Sequence, residues 1–188
     1  MQTTRALGAA ALLATLALTG CAGAAEEATA TSAAPAAAEV RTPAPNDQMK
    51  DESAKGLSAT TYYYFDAMNY ALQTGKTDLM LSVAADCAEC ADAAEEIAAV
   101  YADGGRVEGG QPKAQNVIPL GEVDAKGALS AVVPFREDAK TVFDAAGGVV
   151  EETSLDPAGT IYTVGGEYVD GAWAITSLKA TPDAEIPE

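Results

Sequence analysis

Residues 87–110, CAECADAAEEIAAVYADGGRVEGG, hold the point where one periodicity gives way to another. From Cys87 to about Ala102 the apolar residues recur at helical spacing, with Cys90, Ala94, Ile97, Ala98 and Tyr101 on one stripe. Asp86 with Glu89 three residues on is a capping-box arrangement, and Gly104-Gly105 ends the helix. Glu89, Asp92, Glu95 and Glu96 form an acidic outer face that does not converge as metal ligands would, so it reads as solvated surface. From Arg106 onward the spacing is that of strands. Helices therefore belong before this switch and strands after it.

On the helical side, Leu57 to Thr74 is predicted as a long helix with Gly75 as its left-handed stop. At 100° per residue, Leu57, Thr61, Tyr64, Phe65, Met68, Ala71 and Leu72 share a face, opposite Tyr62, Asp66, Asn69 and Gln73. Tyr62-Tyr63-Tyr64 has the look of an aromatic patch, but helical geometry splays the three rings, and core and flank packing accounts for them better. Tyr63 and Tyr70 fall together on the flank. A short second helix through Leu79–Val83, capped by Thr77 or Asp78, precedes the third.

On the strand side, Val107-Glu108 forms a short strand before Gly109-Gly110. Asn116–Val123 and Ala128–Arg136 alternate in period two across an Asp124–Gly127 turn, with Leu129, Ala131, Val133 and Phe135 on one face. Thr141–Phe143 continues the pattern, and Asp144–Gly148 turns into Val149–Thr153. Thr160–Val164 with Tyr168-Val169 meets Ala172–Ala180 across Asp170-Gly171, a strong hairpin signal. The expected class is α+β: three N-terminal helices packed on an antiparallel sheet of four to six strands.

Composition removes most chemistry. The chain has no histidine, which excludes Ser-His-Asp and Cys-His catalysis and every Cys/His zinc arrangement. It has no calcium-loop spacing and no phosphate-cradling glycine loop, and no cofactor is implied. The net charge of −17 repels phosphate backbones, so no nucleic-acid partner is expected. An acidic surface also simply keeps an exported domain soluble.

The N-terminal end supplies an address. Arg5, an apolar run from Ala6 to Leu18 and Leu18-Thr19-Gly20-Cys21 form an export signal whose ending resembles the lipobox of bacterial lipoproteins. That resemblance implies acylation of the Cys21 thiol, cleavage before it, and anchoring at the outer face of the cytoplasmic membrane, extracytoplasmic, with palmitate among the acyl groups. The alternatives are an ordinary cleavage near Ala22-Gly23-Ala24 or a spanning helix, for which the run falls short of the roughly 20 residues required. Cleavage would remove Arg5 and no acid, so 10 basic against 28 acidic residues leave −18. Residues 21–55 are Ala, Thr, Ser, Pro and Glu with almost no large apolar side chain, and are expected to form a disordered tether of roughly 30–35 Å reach. The organisation is then a signal peptide (1–20), a tether (21–55), a single domain (56–181) and a flexible tail (182–188).

The folded part further resembles a family of actinobacterial lipoproteins whose domain of unknown function is similar to the nuclear transport factor 2-like fold. The matching residues are Tyr64-Phe65, Asn69-Tyr70, Thr74-Gly75, Asp86-Cys87-Ala88-Glu89-Cys90, Gly104-Gly105, Gly109-Gly110, Asp144 with Gly147, and Asp170-Gly171-Ala172-Trp173. The resemblance implies a curved antiparallel sheet wrapped around the helices as a cone with a pocket, and it implies no activity. In such a cone the pocket would be lined by Tyr64, Met68, Phe135, Tyr162, Trp173 and Ile175. Asp66 or Glu137 could act there only as a lone acid.

Cys87 and Cys90 stand i,i+3 at a helix N-terminus, the spacing thioredoxin-like enzymes use after a strand of a βαβ unit. Here a helix and loop precede the pair and antiparallel strands follow. Outside the cytoplasm the two thiols are expected to oxidise to a structural disulfide. The reading that follows is a lipid-anchored, non-catalytic module that binds an envelope protein or a small apolar or cationic ligand. Its rivals are a small-molecule enzyme using the cone pocket, a thiol oxidoreductase using Cys87 and Cys90, and a spacer or inhibitory cover for a neighbouring protein.

Overall fold

The structure is a computed structural model that describes residues 40–155 and 159–181. The expected signal peptide, Cys21, the tether as far as residue 39 and the tail 182–188 lie outside the described residues. Three α-helices come first, α1 (Ala54–Thr74), α2 (Asp78–Leu81) and α3 (Ala88–Ala102). Eight strands follow: β1 (Arg106–Gly109), β2 (Pro112–Ala114), β3 (Ile118–Pro119), β4 (Ala128–Glu137), β5 (Lys140–Phe143), β6 (Val149–Thr153), β7 (Thr160–Val169) and β8 (Ala172–Ala180). The class is α+β, with the helices before the strands.

The strands make two antiparallel sheets where one of four to six strands was expected. The larger has the order β2-β4-β7-β8, with β3 also paired to β4, and the smaller has the order β1-β5-β6. The extra strands are short ones. Of the expected Asn116–Val123 strand only Ile118 and Pro119 pair, with Val132 and Ala131. Pro119 has no N–H to extend that ladder, and one further bond runs from Leu120 N–H to the Ser130 carbonyl. The β7–β8 hairpin closes as expected, with Asp170 at φ 53° and Gly171 at φ 85° giving the two positive φ values a type I′ turn needs.

The long ladder between β4 and β7 sets Leu129 opposite Gly166 and Val133 opposite Tyr162. Leu129, Ala131, Val133 and Phe135, one face of β4, are all buried in the core with Val164, Trp173 and Ile175. From the helices, Leu57, Tyr64, Phe65, Ala71 and Leu72 of α1 and Cys90, Ala94 and Ile97 of α3 close the other side. This is the inner face that the helical and strand periods specify. Thr60 and Thr61, polar but fully buried, donate their hydroxyls back to the carbonyls of Gly56 and Leu57 at 3.0 and 2.9 Å. Gly75 stops α1 at φ 73°.

Two local expectations are corrected. The N-cap of α3 is Cys87, whose sulfur accepts from the Cys90 N–H at 3.2 Å, so Asp86 lies one residue outside the helix. The folded part also starts well before residue 56. Asp47–Lys50 forms a 3-10 turn capped by Asn46, and Met49 is buried. Trp173 Nε1 donates to the Asp51 carbonyl and the Tyr168 hydroxyl to the Lys50 carbonyl, each at 2.7 Å. Residues 40–55, assigned to the tether by their composition, therefore lie in the described structure, and 47–51 are tied to the β7–β8 hairpin.

Candidate functional site

The six residues expected to line a pocket come together on the inner face, where they form packed core. Tyr64, Phe135, Trp173 and Ile175 are buried, and Met68 and Tyr162 pack half-buried against them. An aromatic chain runs through the interior: Tyr64 to Phe65, Phe65 to Phe135 and Phe135 to Tyr162, with ring centroids 5.5, 5.2 and 5.0 Å apart. Edge and tilted contacts at these separations are the favoured geometry for aromatic pairs. The Tyr64 hydroxyl is buried without a hydrogen-bond partner among the described residues. Burial first, and Tyr162 second, push its pKa far above the ordinary phenol range, so it stays protonated at any physiological pH. Burial also raises Tyr162, with Glu137 adding to the shift.

Cys87 and Cys90 form a disulfide. The residues are 1% and 0% exposed, buried against the core cluster at the start of α3. Thiol–disulfide exchange needs a thiolate to reach one sulfur along the S–S axis, and this burial denies that approach.

Open space lies instead on the far side of α1. Val40–Gln48 runs back along the helix, and two clefts of about 500 and 550 Å³ lie between the two segments, sharing Ala44 and Asp66. Tyr62, Tyr63 and Lys55 line the first, and Asn69, Tyr70 and Gln73 the second. The polar α1 face opposite the core is thus the wall of a groove. The Tyr62 hydroxyl accepts from the Val117 N–H at 3.2 Å, and Asn69 Nδ2 donates to the Pro112 carbonyl at 3.0 Å. These two bonds tie the helix to the β2 and β3 segments. Partial burial raises the Asp66 pKa above the usual carboxylate range. Tyrosine faces beside one carboxylate suit an apolar or cationic group. Glu137, the other expected lone acid, sits at the end of β4 with its pKa raised by burial and drawn back by Lys140. It lines a cleft of about 130 Å³ with Phe135 and Lys140, apart from the α1 groove.

A second surface that periodicity misses is the β6 edge of the smaller sheet, where Val149 and Val150 are 57% and 63% exposed. Two adjacent valines in a short strand put apolar side chains on both of its faces, and that doublet is the only sequence signal for it. Among the described residues no helix is long and apolar enough to cross a membrane, and no cluster of potential ligands could hold a metal.

These features define an α+β module with curled antiparallel sheets, an interior of aromatic packing and, among the described residues, grooves along the outside of α1. The chain belongs to DUF6318, a family of unknown function, which it matches over residues 23–179. No curated protein matches its sequence. Among solved structures it is similar to the intermembrane space region of the chloroplast protein ARC6, at 13% identity and a TM-score of 0.50, over 69% of this chain and 97% of that one. It also overlaps a putative calcium/calmodulin-dependent protein kinase type II association domain from Thiobacillus denitrificans. That match has 17% identity, a TM-score of 0.37, and coverage of 66% and 92%. The first likeness bears on the fold alone, and the second is too loose to bear on anything.

Proposed function

We propose that this chain is a lipid-anchored, extracytoplasmic module without catalytic activity that recognises another envelope component through its outer surface. The observation that carries the reading is the filled interior: the inner-face side chains that would line a reaction chamber pack against one another. Recognition then falls to the outside, where the α1 groove offers tyrosine rings and Asp66. The buried disulfide and the absence of histidine support the non-catalytic part. Leu18-Thr19-Gly20-Cys21 supports the anchor, with Cys21 acylated and the domain held at the outer face of the cytoplasmic membrane, as in the actinobacterial lipoproteins it resembles. The cone-like, nuclear transport factor 2-like shape belongs to the same reading.

The test is affinity capture from detergent-solubilised envelope with the full chain as bait, alongside Tyr62→Ala and Asp66→Ala. A partner retained by the wild type and lost from either variant supports the reading. Failure to retain any component, or turnover of a small-molecule substrate by the purified chain, overturns it. The anchor is tested separately: Cys21→Ser should release the protein to the medium, and retention in the membrane fraction would sink the lipid assignment.

A further inference from the structure

The β6 strand lies at one end of the order β1-β5-β6, and no strand covers its far side among the described residues. Which of its backbone groups are free follows from the ladder. The Asp144 N–H donates to the Gly148 carbonyl at 2.9 Å, so the next pair, Phe143 with Val149, falls at a non-bonded position. Val149 therefore turns its N–H and C=O away from β5. On the other side of β5, the Gly110 N–H donates to the Ala139 carbonyl at 3.0 Å. Alternation from there points the backbone groups of Thr141 at β1. Its β6 partner, Glu152, is left with its own groups on the open side, three positions from Val149 because the register shifts there and leaves Val150 as an extra, bulged residue.

Beside this edge is a place for side chains. Val150 borders a cleft of about 290 Å³ with Ala99 and Val100 of α3 and Val142 and Phe143 of β5. An added strand would bond to the backbone groups of Val149 and Glu152 while alternate side chains dropped over the apolar wall, the usual division of labour in β-augmentation. The charge around the edge selects the occupant. Arg106 and Lys140, the cations of this sheet, are engaged by Glu108 at 2.9 Å and Glu151 at 2.8 Å. Asp103 and Asp144 at the cleft and Glu152 on the strand have no ion-pair partner among the described residues. A second copy would bring its own net charge of −17 and set one acidic edge against another.

We propose that β6 is a docking edge for an extended segment of a partner protein in which basic and apolar residues alternate. This deepens the reading of the chain as a recognition module and rests on it. The two fail separately: a captured partner whose binding ignores β6 substitutions overturns the edge and leaves the module.

The experiment titrates the full chain with end-capped synthetic peptides of about ten residues, alternating Lys with Val or Glu with Val. Binding is followed by fluorescence anisotropy and amide hydrogen exchange. The Lys-Val peptide should bind, weaken as salt rises, and protect the Val149 and Glu152 amides, while the Glu-Val peptide should not bind. Glu152→Pro removes an outward donor and should weaken the Lys-Val peptide by about tenfold or more. Glu152→Lys keeps a residue that any strand accepts, so it separates loss of the site from loss of the fold. It should move the preference toward the Glu-Val peptide. Protection away from β6, equal affinity for the two peptides, or binding unchanged in both variants would overturn the proposal. So would concentration-dependent dimerisation of the chain that Glu152→Pro abolishes, because a second copy would then be the occupant.

Discussion

The two sheets divide the chain's work unequally. In the larger sheet one face of β4, β7 and β8 is sealed beneath α1 and α3, and Val164, Trp173 and Ile175 have essentially no contact with solvent. In the smaller, Val142 is buried while every residue of β6 is exposed. Both are antiparallel, both touch α3, and both contain β-branched strands. The difference teaches that strand propensity marks where a strand forms and leaves open whether its apolar residues serve the core or a partner. The deciding quantity is whether a helix lies across the face.

Trp173→Ala should have the largest effect, because it strikes the sealed side. It removes a buried indole together with the bond to the Asp51 carbonyl that anchors the N-terminal segment. The expected loss is about 3–5 kcal/mol in urea unfolding, the range for truncating a large buried aromatic. Proteolysis should open residues 40–55 as well. A loss under 1 kcal/mol would mean that the larger sheet is not the seat of stability.

Reduction of Cys87–Cys90 comes next. Closing so short a loop contributes about 2 kcal/mol in the chain-entropy account. The first turn of α3 approaches β8, with Glu89 4.0 Å from Lys179, whereas its last turn, with Ala99 and Val100, borders a cleft with β5 and β6. The cysteine double-serine variant should therefore lose hydrogen-exchange protection around Cys90–Ala94 and keep it at Val142. Equal loss in both places would make α3 one rigid unit and blur the distinction between the sheets.

A matched pair of substitutions puts the comparison most directly. Val164→Thr places a hydroxyl in the fully buried interior of β7 and should cost about 1.5 kcal/mol, mostly through an unsatisfied polar group. Val150→Thr makes the same chemical change on the exposed β6 and should stay within about 0.5 kcal/mol of wild type. Comparable costs at both sites, read from urea midpoints, would show that something covers β6 in the free protein.

Much of the larger sheet and both long helices can be read from sequence because their signals are local. The period change at Gly104-Gly105, the Gly75 stop and the Asp170-Gly171 turn each need only neighbouring residues. The N-terminal segment could not be read that way. Apart from Met49 it has little apolar content, and it is fixed by bonds from Tyr168 and Trp173, 118 and 122 positions away. No window of sequence contains both partners. The α1 groove escaped for the same reason: its second wall is that segment, so Tyr62 and Asp66 read only as the polar face opposite the core. The expected pocket residues lie on the inner face as packed core; periodicity says which side a residue takes, and whether that side holds a void depends on how side-chain volumes from four elements add up. Cys87 holds the cap with its sulfur 3.2 Å from the Cys90 N–H, a place that residue-type preference gives to Asp86.

The smallest effect expected is electrostatic, and it sets two glutamates around one lysine. Glu137 at the end of β4 has its pKa raised by burial, with Lys140 pulling it partly back. Glu151 on β6 has its pKa lowered by its hydrogen bond to Lys140 and by that lysine's charge. The signs for stability are opposite. Glu151 binds its proton less tightly when folded, so its contribution is present above the ordinary glutamate range and fades as pH falls through the lowered value. Glu137 binds its proton more tightly when folded, so its contribution is greatest below that range and is lost as pH rises through the raised value. Lys140→Met removes the shared cation. In a carboxyl NMR titration Glu151 should return toward its ordinary value and Glu137 should climb further. The change in overall stability at neutral pH should be slight, because both residues keep contact with solvent and exposed pairs such as Lys140–Glu151 contribute little. If Glu137 failed to move while Glu151 did, Lys140 would belong to the smaller sheet alone, and the electrostatic seam between β4 and β6 would not exist.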